Sequence, residues 1–367
     1  MGQHQSGHSN ALTAGFLSRY LSSKWGEPCE VCRLEKFDRG WSRETWFLEC
    51  RRATGDRPQN LVLRRDLPGG SIDHRPLRKE YEIYRRLALS PVPVARPLWW
   101  EDDPAWLENG REFYLREQIE GDWDVPHFMD PHPQYDALRI DTSKEHLRKL
   151  AILHRCDWHQ LGFEEIMSAP ASAATCARDA VTRLYDEWQT FRFDPDPVLT
   201  EGKEWLLANG PPAPCISLLK GNNGRGEEVF RNGQIVAMSD WESSSLGDPS
   251  SDLARCQDFI PEIERGGKRL WGLEQALEYY REVSGVEIRA QSVAYYRILN
   301  GVESAITLFH GVLPVIHKTN LLVRQTWLAT EMVHLFRKLL LDAMCGRSTE
   351  YSRSFYNTQP PKTGQPS

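Results

Sequence analysis

Between Pro28 and Glu120 the apolar residues come in short bursts. Beyond Gly121 they recur mostly at three- and four-residue spacing. In the first region "ETWFLEC" and "NLVLRRD" are β-rich runs separated by "RRATGDRPQ", a hairpin-like turn containing Gly and Pro. "PLRKEYEIYRRLAL" carries Leu77, Tyr81, Tyr84 and Leu87 at helical spacing, and "VPVARPLWWED" and "EFYLREQIEG" read as two further strands. In the second region "SKEHLRKLAILHRCDW" predicts a helix with Ser143 as N-cap and Leu147, Leu150, Ala151 and His154 on its apolar face. Four more amphipathic helices follow, in "AATCARDAVTRLYDEWQTFRF", "GLEQALEYYREV", "QSVAYYRILNGVESAITLFHGVL" and "LLVRQTWLATEMVHLFRKLLLDAM". One β interruption is expected, "EEVFRNGQIVAMSD", two strands around the turn Arg231-Asn232-Gly233.

This pattern divides the chain into a disordered start (1–10), a sheet-rich N-lobe with one helix (11–120), a mainly helical C-lobe (121–350) and a disordered tail (351–367). The expected fold class is α+β, on the two-lobe plan of protein-kinase-like folds. No repeat is visible.

Composition narrows the picture only a little. A net charge of −6 argues against nucleic acid as a partner. No apolar run approaches the roughly 18 to 20 residues of a bilayer span, and the start "MGQHQSGHSN" lacks the apolar core of a signal peptide. The expectation is a cytoplasmic protein with no membrane partner, its eight cysteines reduced. Cys29 and Cys32 form a CxxC with no second pair at metal spacing, and read as ordinary thiols.

Candidate chemistry follows the needs of phosphoryl transfer: a cover over the phosphates, a cation on them, metal-binding carboxylates and a group to orient a hydroxyl. Gly40 and Ser42, in "FDRGWSRETW", could supply the cover. Arg64, at the end of "LVLRR", could sit on nucleotide phosphates, positioned by Glu80 of the following helix. "YLREQIEG", with Glu117, would pass along the base, and Gly121 fits a hinge. In "IVAMSDWESSSLGDPSSDLA" a hydrophobic strand delivers Asp240 at its end as a candidate Mg²⁺ ligand. Asp248 and Asp252 read as structural, one capping a turn and the other bracing the loop before the hairpin.

With "RGWSRETW", "LVLRRDLPGG", "LRKEYEIYRRL", "VPVARPLWWEDD", "FYLREQIEG", "LAILHRCDWHQLGF" and "IVAMSDWESSSLGDPSSDLA", the chain resembles the aminoglycoside phosphotransferase-like, or choline-kinase-like, family. Within it the chain is most similar to the branch of kinase domains linked to acyl-CoA dehydrogenases. The resemblance implies ATP or GTP, Mg²⁺ and phosphate transfer to a hydroxyl of a small molecule. It also exposes a departure. The family's catalytic loop reads His-Gly-Asp, four residues, then Asn. Here the window is "KGNNGRGE", so Lys220, Asn222 and Glu227 replace His, Asp and Asn. Asn222 cannot act as a general base. Glu227 beside Asp240 would make a two-carboxylate metal site, and Lys220 could balance its charge or touch a transferring phosphate. Glu227 or Glu228 could substitute as base, and Gly221, Gly224 and Gly226 suggest a constrained loop.

Three readings stay open: a divergent phosphotransferase, a pseudokinase that binds a nucleotide or metabolite as a regulator, and a kinase fold repurposed for chemistry without nucleotide. His154 reads as a core histidine. Trp123, Asp124 and His127 lie where a lip of the substrate cleft would be. Tyr295, Tyr296 and Phe309 are candidates for a partly apolar acceptor pocket. Oligomeric state is not legible.

Overall fold

Five strands follow the apolar bursts: β1 (Cys29–Phe37), β2 (Arg43–Arg52), β3 (Gln59–Asp66), β4 (Pro97–Glu101) and β5 (Phe113–Glu117). The structure, a computed structural model, describes residues 12–37, 42–55, 57–68, 75–192, 194–317 and 328–347. Gly40 and the two terminal segments expected to be disordered lie outside the described residues. The strands form one antiparallel sheet in the order β1-β2-β3-β5-β4.

Side chains alternate across a strand, so β3 sends Leu61 and Leu63 to one face and Val62 and Arg64 to the other. The first face packs on a helix that the periodicity reading missed, α1 (Ala14–Trp25), through Phe16, Leu17, Tyr20 and Leu21. Thr13 caps α1 by accepting the Phe16 N–H at 3.2 Å, and Gly26 ends it in the left-handed conformation. The second face of the sheet looks into the interlobe cleft. Helix α2 (Leu77–Leu87) buries Leu77, Ile83, Tyr84 and Leu87, and with them the carboxylate of Glu80.

The second half is helical: α3 (Asp136–His154), α4 (Cys176–Phe191), α5 (Pro197–Asn209), α6 (Ser250–Arg255), α7 (Leu273–Ser284), α8 (Ala290–Ile316) and, after a π-helical turn at Leu328–Met332, α9 (Val333–Met344). An α+β fold with a sheet-rich N-lobe and a mainly helical C-lobe is therefore what the chain adopts. Helix α3 starts about two turns before Ser143. Ser143 is an interior residue whose hydroxyl accepts the Trp271 indole N–H at 2.9 Å, so it caps nothing. Helix α5 was not legible as an apolar stripe; its start is fixed instead by Asp196, which accepts the Leu199 N–H at 3.1 Å, and by Pro197 in the first turn.

The expected hairpin is β7 (Glu228–Arg231) and β8 (Gln234–Met238), joined through Asn232 and Gly233, both at positive φ as a two-residue turn requires. It is not the only β interruption. β6 (Ser217–Leu219) pairs with β9 (Ser245–Gly247), and β10 (Ile263–Arg265) with β11 (Lys268–Trp271). The expectation that no apolar run reaches bilayer length also needs correction. Helix α8, 27 residues long, is long and apolar enough by composition, and half of its apolar window is buried within the protein.

Candidate active site

Two local devices place the site. The chain leaves β5 through a hinge at 118–121, where Asp122 and Phe230 of β7 exchange main-chain hydrogen bonds of 2.8 and 2.7 Å. Gly121, at φ 156°, lies so close that a Cβ would sit 2.4 Å from the Phe230 carbonyl oxygen. Next, β6 runs into the loop 220–227 and the β7–β8 hairpin returns the chain at Asp240. Asp240 holds a left-handed φ of 62°, a conformation that costs a non-glycine residue free energy and persists where the surroundings enforce it. The loop and the hairpin end thus meet beneath the sheet.

Between the lobes lies a cleft of about 880 Å³. Its inner end is apolar, with Phe47, Val62, Ala95, Ile119, Val229 and Met238. Its centre is charged, and Leu308, Met332 and Phe336 line its far end. In the centre Arg64 reaches down from β3 with its Nη1 3.0 Å from Glu80 and 3.4 Å from Asp240. Glu80 is fully buried, takes the Tyr114 hydroxyl at 2.9 Å and also pairs with Arg43 at 3.0 Å. Ser42 donates to Glu242 at 2.8 Å, and Glu242 lies 3.6 Å from both Arg43 and Arg64. Arg43 and Glu242 were missed from the sequence. The signal was present, because Arg43 follows Ser42 directly and Glu242 stands on the turn just past Asp240.

In the loop, Asn222 donates from Nδ2 to the Asp240 carboxylate at 2.9 Å. The Glu227 carboxyl lies close enough to Asp240 to feel its charge. Burial, then the neighbouring Asp240 charge, pushes the Glu227 carboxyl well above the usual carboxylate range. Asp240 moves the other way: burial alone would raise it, but Arg64 and Lys220 hold it below its ordinary value.

The loop is braced from below by Asp252, which accepts the Lys220 N–H at 2.7 Å, the Gly221 N–H at 2.9 Å, Asn223 Nδ2 at 2.9 Å and contacts His154 Nε2 at 3.0 Å. His154 bonds Tyr280 on its other side at 2.7 Å, as a core histidine does. Asp248 accepts the Ser250 N–H at 2.8 Å at the start of α6. Gly221 and Gly226 take φ values of 85° and 90°, while Gly224 needs no such freedom.

Several candidates lie elsewhere than expected. Lys220 is fully buried under the loop, its ammonium 3.1 Å from Glu228 and hydrogen-bonded to the Asn222 carbonyl. It does not line the cleft, and it influences Glu227 and Asp240 through its charge. Glu228 is equally buried, between Lys220 and His146, so it is no substitute base. Glu117 points outward to Arg96 at 2.6 Å; its neighbours Gln118 and Ile119 line the cleft. Trp123 and Asp124 line it, with Trp123 stacked 5.7 Å from Phe47 and edge-on to Phe37. His127 does not: its exposed ring stacks on Tyr135 at 4.3 Å. Tyr295 and Tyr296 are core residues of α8, the former bonded to the Leu206 carbonyl at 3.0 Å. The next turns of α8, not these, face the cleft with Glu303, Ser304, Thr307 and Leu308.

Among the described residues no three His, Cys, Asp or Glu side chains form a ready metal cage. Two adjacent carboxylates nevertheless fit Mg²⁺, which binds through one or two carboxylates, substrate phosphates and water.

A profile of the phosphotransferase enzyme family matches residues 33–285, across the sheet, the hinge and the whole loop–hairpin unit. The chain belongs to the phosphotransferase enzyme family. Its fold is shared with solved phosphotransferases. An aminoglycoside phosphotransferase, APH(4)-Ia, in ternary complex with AMP-PNP and hygromycin B aligns at a TM-score of 0.53 and 16% identity, over 88% of this chain and 97% of that one. The macrolide 2'-phosphotransferase MphH of Brachybacterium faecium gives 0.53 at 17% identity, over 87% and 97%. By sequence the chain is 24% identical over 310 residues to acyl-CoA dehydrogenase family member 11 of Homo sapiens, covering 81% of this chain and 36% of that protein. The Rattus norvegicus protein of that name is also 24% identical, over 303 residues, or 78% of this chain and 35% of that protein. The chain thus spans about a third of the length of these curated relatives.

Proposed function

We propose that this member of the phosphotransferase family transfers the γ-phosphate of ATP, with Mg²⁺, to a hydroxyl of a small and partly apolar molecule. The observation that carries this reading is one cavity lined at once by Arg64 on its Glu80 brace, by Asp240 and Glu227, and by Asn222. The apolar inner end beside Gln118 and Ile119 suits a nucleobase, and Leu308, Met332 and Phe336 suit an apolar part of the acceptor. The complex of a structural relative with AMP-PNP supports the nucleotide part.

Asp240 and Glu227 would hold Mg²⁺, which when bound neutralises phosphate charge. Arg64 orients phosphate oxygens with a planar fork. Asn222, its Nδ2 engaged by Asp240, presents Oδ1 to the acceptor hydroxyl and aligns it without deprotonating it. Phosphoryl transfer rests mainly on positioning and electrostatics, and acid–base assistance adds about 10²- to 10⁴-fold, so a loop without the Asp gives a slower enzyme rather than none. The chemistry is tested by assaying Mg²⁺-dependent nucleotide turnover in Asp240→Ala and Glu227→Gln. Both should lose it; unchanged turnover in both would overturn the assignment. A second reading, a nucleotide-binding regulator without turnover, draws on Asn222 in the place of the family's Asp. Binding of ATP with no turnover across a broad acceptor panel would favour it.

A further inference from the structure

Among the described residues, five arginines line the cleft: Arg64, Arg75, Arg116, Arg225 and Arg255. Four are engaged. Arg64 pairs with Glu80 and Asp240, and Arg75 and Arg255 share the carboxylate of Glu303. Arg116 donates to the Glu117 carbonyl at 3.2 Å and lies over the Tyr84 ring. Arg225 alone of the five makes no hydrogen bond or ion pair with another described residue; its Nε is buried without an acceptor, as are those of Arg64 and Arg116. Its charge is felt by Asp258, whose carboxyl is pushed up by burial and eased down by Arg225, with no ion pair between them. Arg225 stands in the loop between Asn222 and Glu227, between Gly224 and Gly226.

A buried guanidinium donor that meets no protein acceptor is costly unless something else meets it. Asp240, Glu227 and Glu242 do not pair with Arg225, which leaves its guanidinium at the cleft open to an anion from outside the chain. We propose that Arg225 is a catalytic residue that binds the transferring phosphoryl group, replacing with positive charge what the loop lacks in general base. This inference rests on the phosphotransferase reading. As the acceptor oxygen bonds to the γ-phosphorus, the bond to the bridging oxygen breaks and its electron pair leaves with ADP. The hydroxyl proton passes to an oxygen of the transferred phosphoryl group. Charge is then spread over three equatorial oxygens, which a planar guanidinium can engage two at a time.

The test is calorimetric titration of the full chain, wild type, Arg225→Met and Arg225→Lys, with Mg²⁺ plus ADP or plus AMP-PNP. Arg225→Met should weaken AMP-PNP on the order of 10- to 100-fold and leave ADP unchanged, the loss expected for one charge-assisted hydrogen-bonding group. Arg225→Lys should recover part of it, keeping the charge but not the fork. Equal weakening of both nucleotides would mean a structural role and overturn the proposal, as would weakening of neither. A wild-type protein that binds neither nucleotide overturns the phosphotransferase reading together with this one. A wild type that binds both, with Arg225→Met indistinguishable from it, overturns the role of Arg225 alone.

Discussion

Glu303 offers a quantitative check on the electrostatics of the cleft wall. Its carboxylate on α8 accepts from Arg75, just before α2, at 2.5 Å and from Arg255 at the end of α6, so it ties the two lobes together. Burial alone would raise its pKa, but Arg255 and Arg75 hold it down to about 2 from an ordinary value of 4.5. Because the folded-state pKa lies below the unfolded one, the stabilisation is fully present above pH 4.5 and is lost as pH falls through the folded value. The gap of 2.5 units, at 1.36 kcal/mol each, corresponds to about 3 kcal/mol at pH 7 and to less than half of that at pH 3. Glu303→Gln keeps the shape and removes the charge. Urea unfolding curves of both proteins should therefore differ by about 3 kcal/mol at pH 7 and converge towards pH 3. A difference below about 1 kcal/mol at pH 7, or one that does not shrink with acid, would refute the reasoning.

Two further perturbations probe the loop from below and from within. Lys220→Met should destabilise by about 3–5 kcal/mol by removing the ammonium that faces buried Glu228, and adding Glu228→Leu should restore most of it in thermal or urea unfolding. No recovery in the double variant would show that Lys220 acts through something other than that pair. Gly221→Ala should cost about 1–3 kcal/mol and lower nucleotide turnover. Its new Cβ would fall 2.3 Å from the Ser243 carbonyl at a φ of 85°, so full activity would show that the loop is free to move.

Local signals carried well where the physics is local. Apolar periodicity located the central sheet, α2 and the β7–β8 hairpin, because strand and helix spacing follow from backbone geometry alone. "IVAMSD" marked Asp240 because a strand end aims the chain at the cleft, although the strand stops at Met238 and Asp240 lies two residues past it. The same signals failed at α1 and α5, whose boundaries depend on caps and on packing partners chosen elsewhere in the chain.

What the sequence by itself determined was the family, the α+β plan and the short list of polar residues able to serve phosphoryl transfer. Which of them share a cavity was decided only by tertiary structure. Lys220 and Glu228 carry the charges that chemistry wants, yet the turn at Gly221 and the strand alternation of β7 bury both away from the cleft. Conversely Arg75 and Glu303, 228 positions apart, meet across the lobes, and Arg225 acquires its meaning only once every neighbouring arginine is seen to have an engaged partner. Side-chain chemistry is written residue by residue. Its surroundings, and therefore its charge state and its use, are set by contacts between segments that sequence spacing does not encode.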